Sequence, residues 1–323
     1  MRIGFIGLGT MGGVAALNLI KGGHQLAVCD LDSERAKEHL ALGATWADTP
    51  ANAAKDADIV FTMVFGPKQI EQVVRGPYGL LSAMGPGQIW VDMTTNQPTL
   101  ARALGGELAA KGVQPVDAPV TGAVDGARNG NMTQFAGGDE DTIERIRPVM
   151  ELMGPMHYMG QSGSGSITKL ASNQLWAINA TAMGEALVMA VKSGVELPRA
   201  WDALKIGASE SWCMHHDAPS VFAGHYDPSF TLDLCQKDLG LIVEACDDAG
   251  TPAPATRLVC AQFEKARQTY GGEKGELHVV KLEEDAAGVS LRLEGDWVPH
   301  WEKLPTRLPY CISAKASSRH LRL

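Results

Sequence analysis

Residues 3–12 read Ile-Gly-Phe-Ile-Gly-Leu-Gly-Thr-Met-Gly, an apolar strand that runs straight into a GxGxxG turn. Gly7 permits a tight strand-to-helix turn, Gly9 lets the backbone approach a pyrophosphate with no Cβ in the way, and Gly12 lets the next helix pack closely on the strand. By itself such a turn also fits a plain tight loop. Its surroundings argue for a dinucleotide: Val14, Leu17, Leu19 and Ile20 follow at helical spacing, then Gly22-Gly23 and a second strand over residues 25–30. A helix N-terminus placed there faces the anion.

That second strand ends on Asp30, 23 residues after Gly7, where the fold presents a carboxylate to the adenosine ribose hydroxyls. A 2′-phosphate set against this carboxylate meets like-charge repulsion, and Leu31 stands where an arginine would serve it, so the pattern favours NAD over NADP. Arg35 lies nearby as a partial offset, Asp32 offers a second carboxylate, and a turn or capping role for Asp30 is the plainer alternative.

The 323 residues, 45% of them hydrophobic, are enough for a full core and suggest two domains. A net charge of −9 gives no general attraction for nucleic acid, and the basic residues near the C-terminus (Lys303, Arg307, Lys315, Arg319, Arg322) are spread out without interleaved aromatics. No stretch approaches the ~18 uninterrupted apolar residues of a membrane span, and the chain opens on a core strand rather than a signal segment, which leads to the expectation of a cytoplasmic protein. The six cysteines (Cys29, Cys213, Cys235, Cys246, Cys260, Cys311) form no CxxC pair and suit reduced, buried thiols. No spacing suggests a metal site: His215 and His216 are adjacent, so on a helix they point about 100° apart.

Strand-like runs recur at residues 2–7, 25–30, 59–65, 88–92 and 114–120, with helical patterns between them, such as 33–42 and 100–111. That alternation predicts an α/β fold with a doubly wound parallel sheet, completed by strands around 133–136 and 156–159. The flexible segment 160–165 then precedes a long helical pattern over 166–193, and apolar periodicity continues through 198–206, 239–249 and 258–270. The expected organisation is a dinucleotide-binding domain over 1–162, an all-helical domain over 163–290, and an irregular extension over 291–323. The extension carries Pro299, Pro305 and Pro309. Its Trp297 and Trp301 are large apolar groups that a free tail would leave wet, which points to packing on this subunit or a neighbour.

Three further blocks carry chemistry. Residues 117–130, Asp-Ala-Pro-Val-Thr-Gly-Ala-Val-Asp-Gly-Ala-Arg-Asn-Gly, read as a strand end opening into a loop of small residues whose N–H groups, with the Thr121 hydroxyl, suit a small carboxylate. Residues 165–173 place Lys169 and Asn173 four apart on one helix face. An ammonium partly desolvated beside an oxidised nicotinamide loses its proton more easily, as a general base for alcohol oxidation requires. Asn173 can hold the substrate hydroxyl or orient the amine. Residues 230–240 set Lys237 and Asp238 in an apolar helix, where the lysine would meet a cofactor or substrate anion. Taken singly, each block also fits a turn, a solvated pair or an exposed ion pair.

In this order and at these separations, GFIGLGTMG (4–12), DAPVTGA (117–123), GSGSITKLASN (163–173) and KDLGL (237–241) resemble the β-hydroxyacid dehydrogenase family over about residues 2–290. The resemblance implies that Gly7, Leu8, Gly9, Thr10, Met11, Gly12 and Asp30 hold the cofactor. Val64 and Phe65 line it, and Thr95 lies by the nicotinamide. It further implies that Thr121, Gly122 and Ala123 hold the substrate carboxylate, that Lys169 is the acid/base assisted by Asn173, and that Lys237 closes on cofactor and substrate from the second domain.

Two positions depart from the family pattern: its usual Ser-Gly-Gly reads Thr121-Gly122-Ala123, which reshapes the pocket, and its Leu-Pro-Asn reads Val64-Phe65-Gly66, which alters the loop near the cofactor. Neither removes a group the reaction needs. The resulting expectation is an NAD-dependent oxidoreductase that interconverts a small β-hydroxyacid (3-hydroxyisobutyrate-like, or a serine, 3-hydroxypropionate, glycerate or sulfonate analogue) and its semialdehyde by hydride transfer, assembled as a homodimer or homotetramer. Imine reductases resemble the first domain but generally carry Asp or Tyr in place of Lys169. Silent dehydrogenase-like assembly modules tend to have lost that lysine.

Overall fold

The computed structural model describes residues 1–295 and 297–299. Among them, Trp301, Pro305, Pro309, Cys311 and the basic residues Lys303, Arg307, Lys315, Arg319 and Arg322 do not fall, so the expectations attached to those positions lie outside the described residues.

The described residues form one nine-stranded sheet, with strands β1 (Arg2–Ile6), β2 (Gln25–Cys29), β3 (Thr45–Trp46), β4 (Ile59–Thr62), β5 (Ile89–Asp92), β6 (Gln114–Asp117), β7 (Val120–Thr121), β8 (Thr133–Gly138) and β9 (Met156–Gly160). Their order is β3-β2-β1-β4-β5-β6-β8-β7, with β9 beside β8. The first six strands run parallel, and the chain reverses direction of winding between β1 and β4, which opens a crevice at the carboxyl ends of those two strands. Every residue of β4 and β5 is buried, as a parallel sheet covered on both faces demands. One departure from the expected parallel sheet is local: β8 runs antiparallel to β6 and β7.

Past the sheet the chain is helical, starting with the long helix Ser164–Lys192 and continuing through Leu197–Leu204, Leu232–Asp248, Pro254–Tyr270 and His278–Ala287. Two of these begin earlier than apolar periodicity suggests. Thr231 accepts the Leu234 amide through its hydroxyl and so starts its helix before residue 239, and Pro254 sits at the first turn of the other, where its missing N–H costs nothing. The helices bury a second core around Leu187, Phe222, Leu239 and Phe263. Leu291 is buried in that core, and Trp297 packs edge-on against Trp201 and Phe222, so the start of the extension covers the helical lobe.

The junction between sheet and helices is set by Asp117 at the end of β6. Its carboxylate accepts the amides of Gly163 (2.7 Å) and Ser166 (2.8 Å) and the Ser166 hydroxyl (3.1 Å), so it satisfies donors that the first turn of the long helix leaves open. Burial raises the Asp117 pKa, against the pull of these donors. Docking also needs bare backbone, because a Cβ at Gly165 would run into the carbonyl oxygens of Phe135 and Asp117. Gly165→Ala is therefore expected to cost about 2 kcal/mol through overpacking and to lower the unfolding midpoint by roughly 4–8 °C in calorimetry. An unchanged midpoint would mean that the helix is not seated on these strands.

Candidate active site

The glycine turn lies at the switch point between β1 and β4. Gly7 has φ +99°, and a Cβ there would run into the Met63 carbonyl; one at Gly12 would run into the carbonyl of Gly7. Gly9 differs from both. The nearest atom to a Cβ at Gly9 is a guanidinium nitrogen of Arg35, 3.6 Å away, so packing does not exclude a side chain there. The turn thus keeps a bare backbone facing open space at the start of the helix Gly12–Lys21, a cradle that a pyrophosphate fits and a Cβ would fill. Thr10 is exposed and Met11 half-buried on the same turn, while Leu8 is buried beneath it.

Asp30 lies beside the glycine turn. One carboxylate oxygen accepts the Leu8 amide (2.6 Å) and the other the Asp32 amide (3.0 Å), which ties the acid to the glycine turn and orients it. Arg35 lies 4.0 Å from Asp30 and 3.7 Å from Asp32, so both acids draw on its charge, and Leu31 is fully exposed between them. Across the crevice, the Val64 amide donates to the Thr94 hydroxyl (3.2 Å), and Thr95 follows half-buried.

Lys169 and Asn173 project from the first three turns of the long helix, which packs against β6, β7, β8 and β9. The Lys169 ammonium donates to Asn173 Oδ1 (2.7 Å), and Asn173 Nδ2 donates to Asp238 Oδ2 (2.8 Å). Burial draws the Lys169 pKa down to about 8, with Lys237 pushing the same way; Asp238 and Glu276 oppose the shift. Lys237 sits over the other oxygen of Asp238 at 2.7 Å and reaches across to donate to the Phe65 carbonyl (2.7 Å), so it spans the two lobes. Its stem explains Gly66: a Cβ there would stand 3.0 Å from Lys237 Cδ.

Thr121 ends the short strand β7, Gly122 has φ +122°, and Ala123 has φ +55°. Where residues 117–130 read as a loop of small side chains, the structure places a short helix, Ala123–Arg128, that begins on the second of these positive-φ residues. Ala123 holds a left-handed backbone at a cost of about 1 kcal/mol, which glycine would not incur.

The structure thus gathers Lys169, Asn173 and Lys237 around Asp238, and the glycine turn with Asp30 at the crevice. Sequence reasoning missed Asp117 as the helix cap, Asp238 as the acceptor behind Asn173, and Gln97, whose amide donates to the Leu241 carbonyl (3.1 Å) and to Glu244 (2.6 Å) across the lobes. The Asp in DAPVTGA and the one in KDLGL were visible; only their partners were not. Among the described residues no group of three or more His, Cys, Asp or Glu is placed to hold a metal ion, and no helix is long and apolar enough to cross a membrane.

A family model described as the NAD binding domain of 6-phosphogluconate dehydrogenase matches residues 2–161, and one described as NAD-binding of NADP-dependent 3-hydroxyisobutyrate dehydrogenase matches residues 163–282. The chain is 33% identical over 293 residues to 2-(hydroxymethyl)glutarate dehydrogenase of Eubacterium barkeri, spanning 90% of this chain and 97% of that protein. It is 34% identical over 275 residues to 2-hydroxy-3-oxopropionate reductase of Escherichia coli (strain K12), spanning 85% and 94%. The solved structure of Mycobacterium tuberculosis 3-hydroxyisobutyrate dehydrogenase with L-serine superposes with a TM-score of 0.79 at 28% identity, over 87% of this chain and 98% of that one.

The site itself makes a prediction independent of any ligand. In side-chain NMR of the ligand-free protein, Lys169 should titrate near pH 8, well under the 10.5 of an ordinary lysine, and Asp238→Asn should lower the midpoint further by removing an opposing charge. A midpoint near that of a solvated lysine would refute this description of the cleft. With the glycine turn, the lysine–asparagine pair and these relatives in place, the chain belongs to the β-hydroxyacid dehydrogenase family of NAD(P)-binding oxidoreductases.

Proposed function

We propose that this protein interconverts a small β-hydroxyacid and its semialdehyde, with NAD preferred over NADP and Lys169 as the acid/base. The observation that carries the reading is a lysine drawn down to about 8 by burial and held by Asn173 at 2.7 Å between the lobes. At that value the amine is available in both forms near neutral pH, as a group that takes a proton in one direction and gives it back in the other must be.

The bare turn at Gly7, Leu8, Gly9, Thr10, Met11 and Gly12 binds the pyrophosphate, Asp30 the adenosine ribose, and Val64, Phe65 and Thr95 the nicotinamide half. When bound, the nicotinamide supplies the acceptor for hydride from the carbinol carbon. Thr121, Gly122 and Ala123 hold the carboxylate or sulfonate and fix the substrate's orientation. Lys169 takes the hydroxyl proton during oxidation and returns it to the carbonyl oxygen during reduction. Asn173 points the amine, Asp238 fixes the asparagine, and Lys237 holds the lobes together over the cleft and adds positive charge toward the anion. The 3-hydroxyisobutyrate, L-serine and L-threonate named for relatives, and likewise 3-hydroxypropionate or glycerate, all fit one anion site beside one hydroxyl.

Asp30 underlies the preference for NAD. Arg35 is shared between two carboxylates, so little of its charge is left for a 2′-phosphate. We assign residues 1–162 to cofactor binding, 163–290 to the helical domain and 291–323 to an extension, and propose a homodimer or homotetramer working in the cytoplasm.

Two measurements test the reading. Lys169→Ala should retain NADH binding yet lose turnover by a factor on the order of 10² or more; near-normal turnover would defeat the assignment. A panel of 3-hydroxyisobutyrate, serine, 3-hydroxypropionate, glycerate and threonate with each cofactor should give kcat/KM at least about tenfold higher with NAD, the equivalent of roughly 1.4 kcal/mol of unfavourable charge placement. Equal use of NADP would remove Asp30 from its role.

A further inference from the structure

His216 ends the short helix Trp212–His216 in the helical lobe, and both of its ring nitrogens face carboxylates. Nδ1 lies 3.0 Å from Asp217 Oδ1, and Nε2 lies 3.3 Å from Asp125 Oδ2 in the other lobe. The ring stacks on Trp212 at 3.7 Å and 21°, and the His216 and Asp125 side chains are only 12% and 14% exposed. Neither end of this line is arbitrary. Asp125 stands in the first turn of Ala123–Arg128, two residues after Ala123, and the Gly126 amide bonds back to the Gly122 carbonyl (3.0 Å), so a shift of Asp125 moves the Thr121–Ala123 turn with it. At the other end, Asp217 Oδ2 accepts the Trp176 indole N–H (2.9 Å). Trp176 follows Lys169 by seven positions and Asn173 by three, on one face of the long helix.

We propose that His216 is a positioning residue for the substrate anion. Through Asp125 it fixes the Thr121–Ala123 turn, and through Asp217 and Trp176 it ties that turn to the face of the helix that carries Lys169. This inference rests on the assignment of the turn to substrate binding given above.

The test uses the hydroxyacid of the panel above with the highest kcat/KM on the unaltered chain, and three variants. His216→Phe keeps a ring on Trp212 and removes both nitrogens, His216→Gln retains a donor toward Asp125, and Asp125→Asn removes the charge. His216→Phe should raise KM for the hydroxyacid about tenfold while kcat changes less than about twofold and KM for NAD holds, the signature of lost substrate binding. Calorimetric binding of the same acid to the protein–NADH complex should weaken by about the same factor, and His216→Gln should recover much of it. Combining His216→Phe with Asp125→Asn should cost no more than the worse single change, because the two residues act as one unit.

Unchanged KM and acid affinity in His216→Phe, whether or not the unfolding midpoint falls, would overturn the inference and leave the proposed function standing. A loss confined to kcat, or an equal loss of NAD affinity, would overturn it as well. No turnover of any hydroxyacid by the unaltered chain would instead overturn the proposed function, and the inference with it.

Discussion

The carboxylate of Asp117 holds the start of the long helix to the end of β6, and the rest of the site follows from that contact. Three donors converge on it, two of them backbone amides that the first turn of a helix cannot satisfy internally. Lys169 comes three residues after Ser166, about one turn up the helix, while Thr121 comes four residues after Asp117 along the sheet edge. The same side chain therefore fixes the origin of both the amine and the Thr121–Ala123 turn. Gly137 and Gly165 are part of the constraint, since a Cβ on either would hold the helix off the strands.

From that fixed origin the lobes are joined by side chains whose chemistry is polar and whose burial makes them directional. Lys237 reaches the Phe65 carbonyl, Gln97 reaches Leu241 and Glu244, and His216 reaches Asp125. Each contact links residues more than 90 positions apart, and the buried bond from Gln97 to the Leu241 carbonyl is worth more than it would be at the surface. The same dryness lowers the Lys169 pKa: burial is the largest influence, and the aspartate that steadies Asn173 keeps the shift from going further.

What was legible in the sequence was what local backbone geometry dictates. Gly7 must take a positive φ and Gly12 must allow close approach, so the turn announces itself in ten residues, and the strand–helix alternation gives the parallel sheet by the same logic. Lys169 and Asn173 meet because four residues make a helical neighbour. The antiparallel β8 was not legible, since apolar alternation says nothing of direction. Nor was the helix Ala123–Arg128, which carries a glycine at its centre and begins on Ala123, the second of two residues with positive φ. The place of Asp30 at the end of β2 is legible, whereas its amide donors from Leu8 and Asp32 depend on how β2 faces the turn. The contact of His216 is not legible either, since its partner Asp125 lies 91 residues away, a distance no spacing rule covers.

The central claim is that one buried amine exchanges a proton with the substrate oxygen. Its most direct test is the pH dependence of kcat/KM for the hydroxyacid in both directions. Oxidation needs the neutral amine, so its rate should rise through a single ionisation near pH 8; reduction needs the ammonium and should fall across the same range. Profiles that stay flat between about pH 7 and 9, or that rise together, would contradict the account.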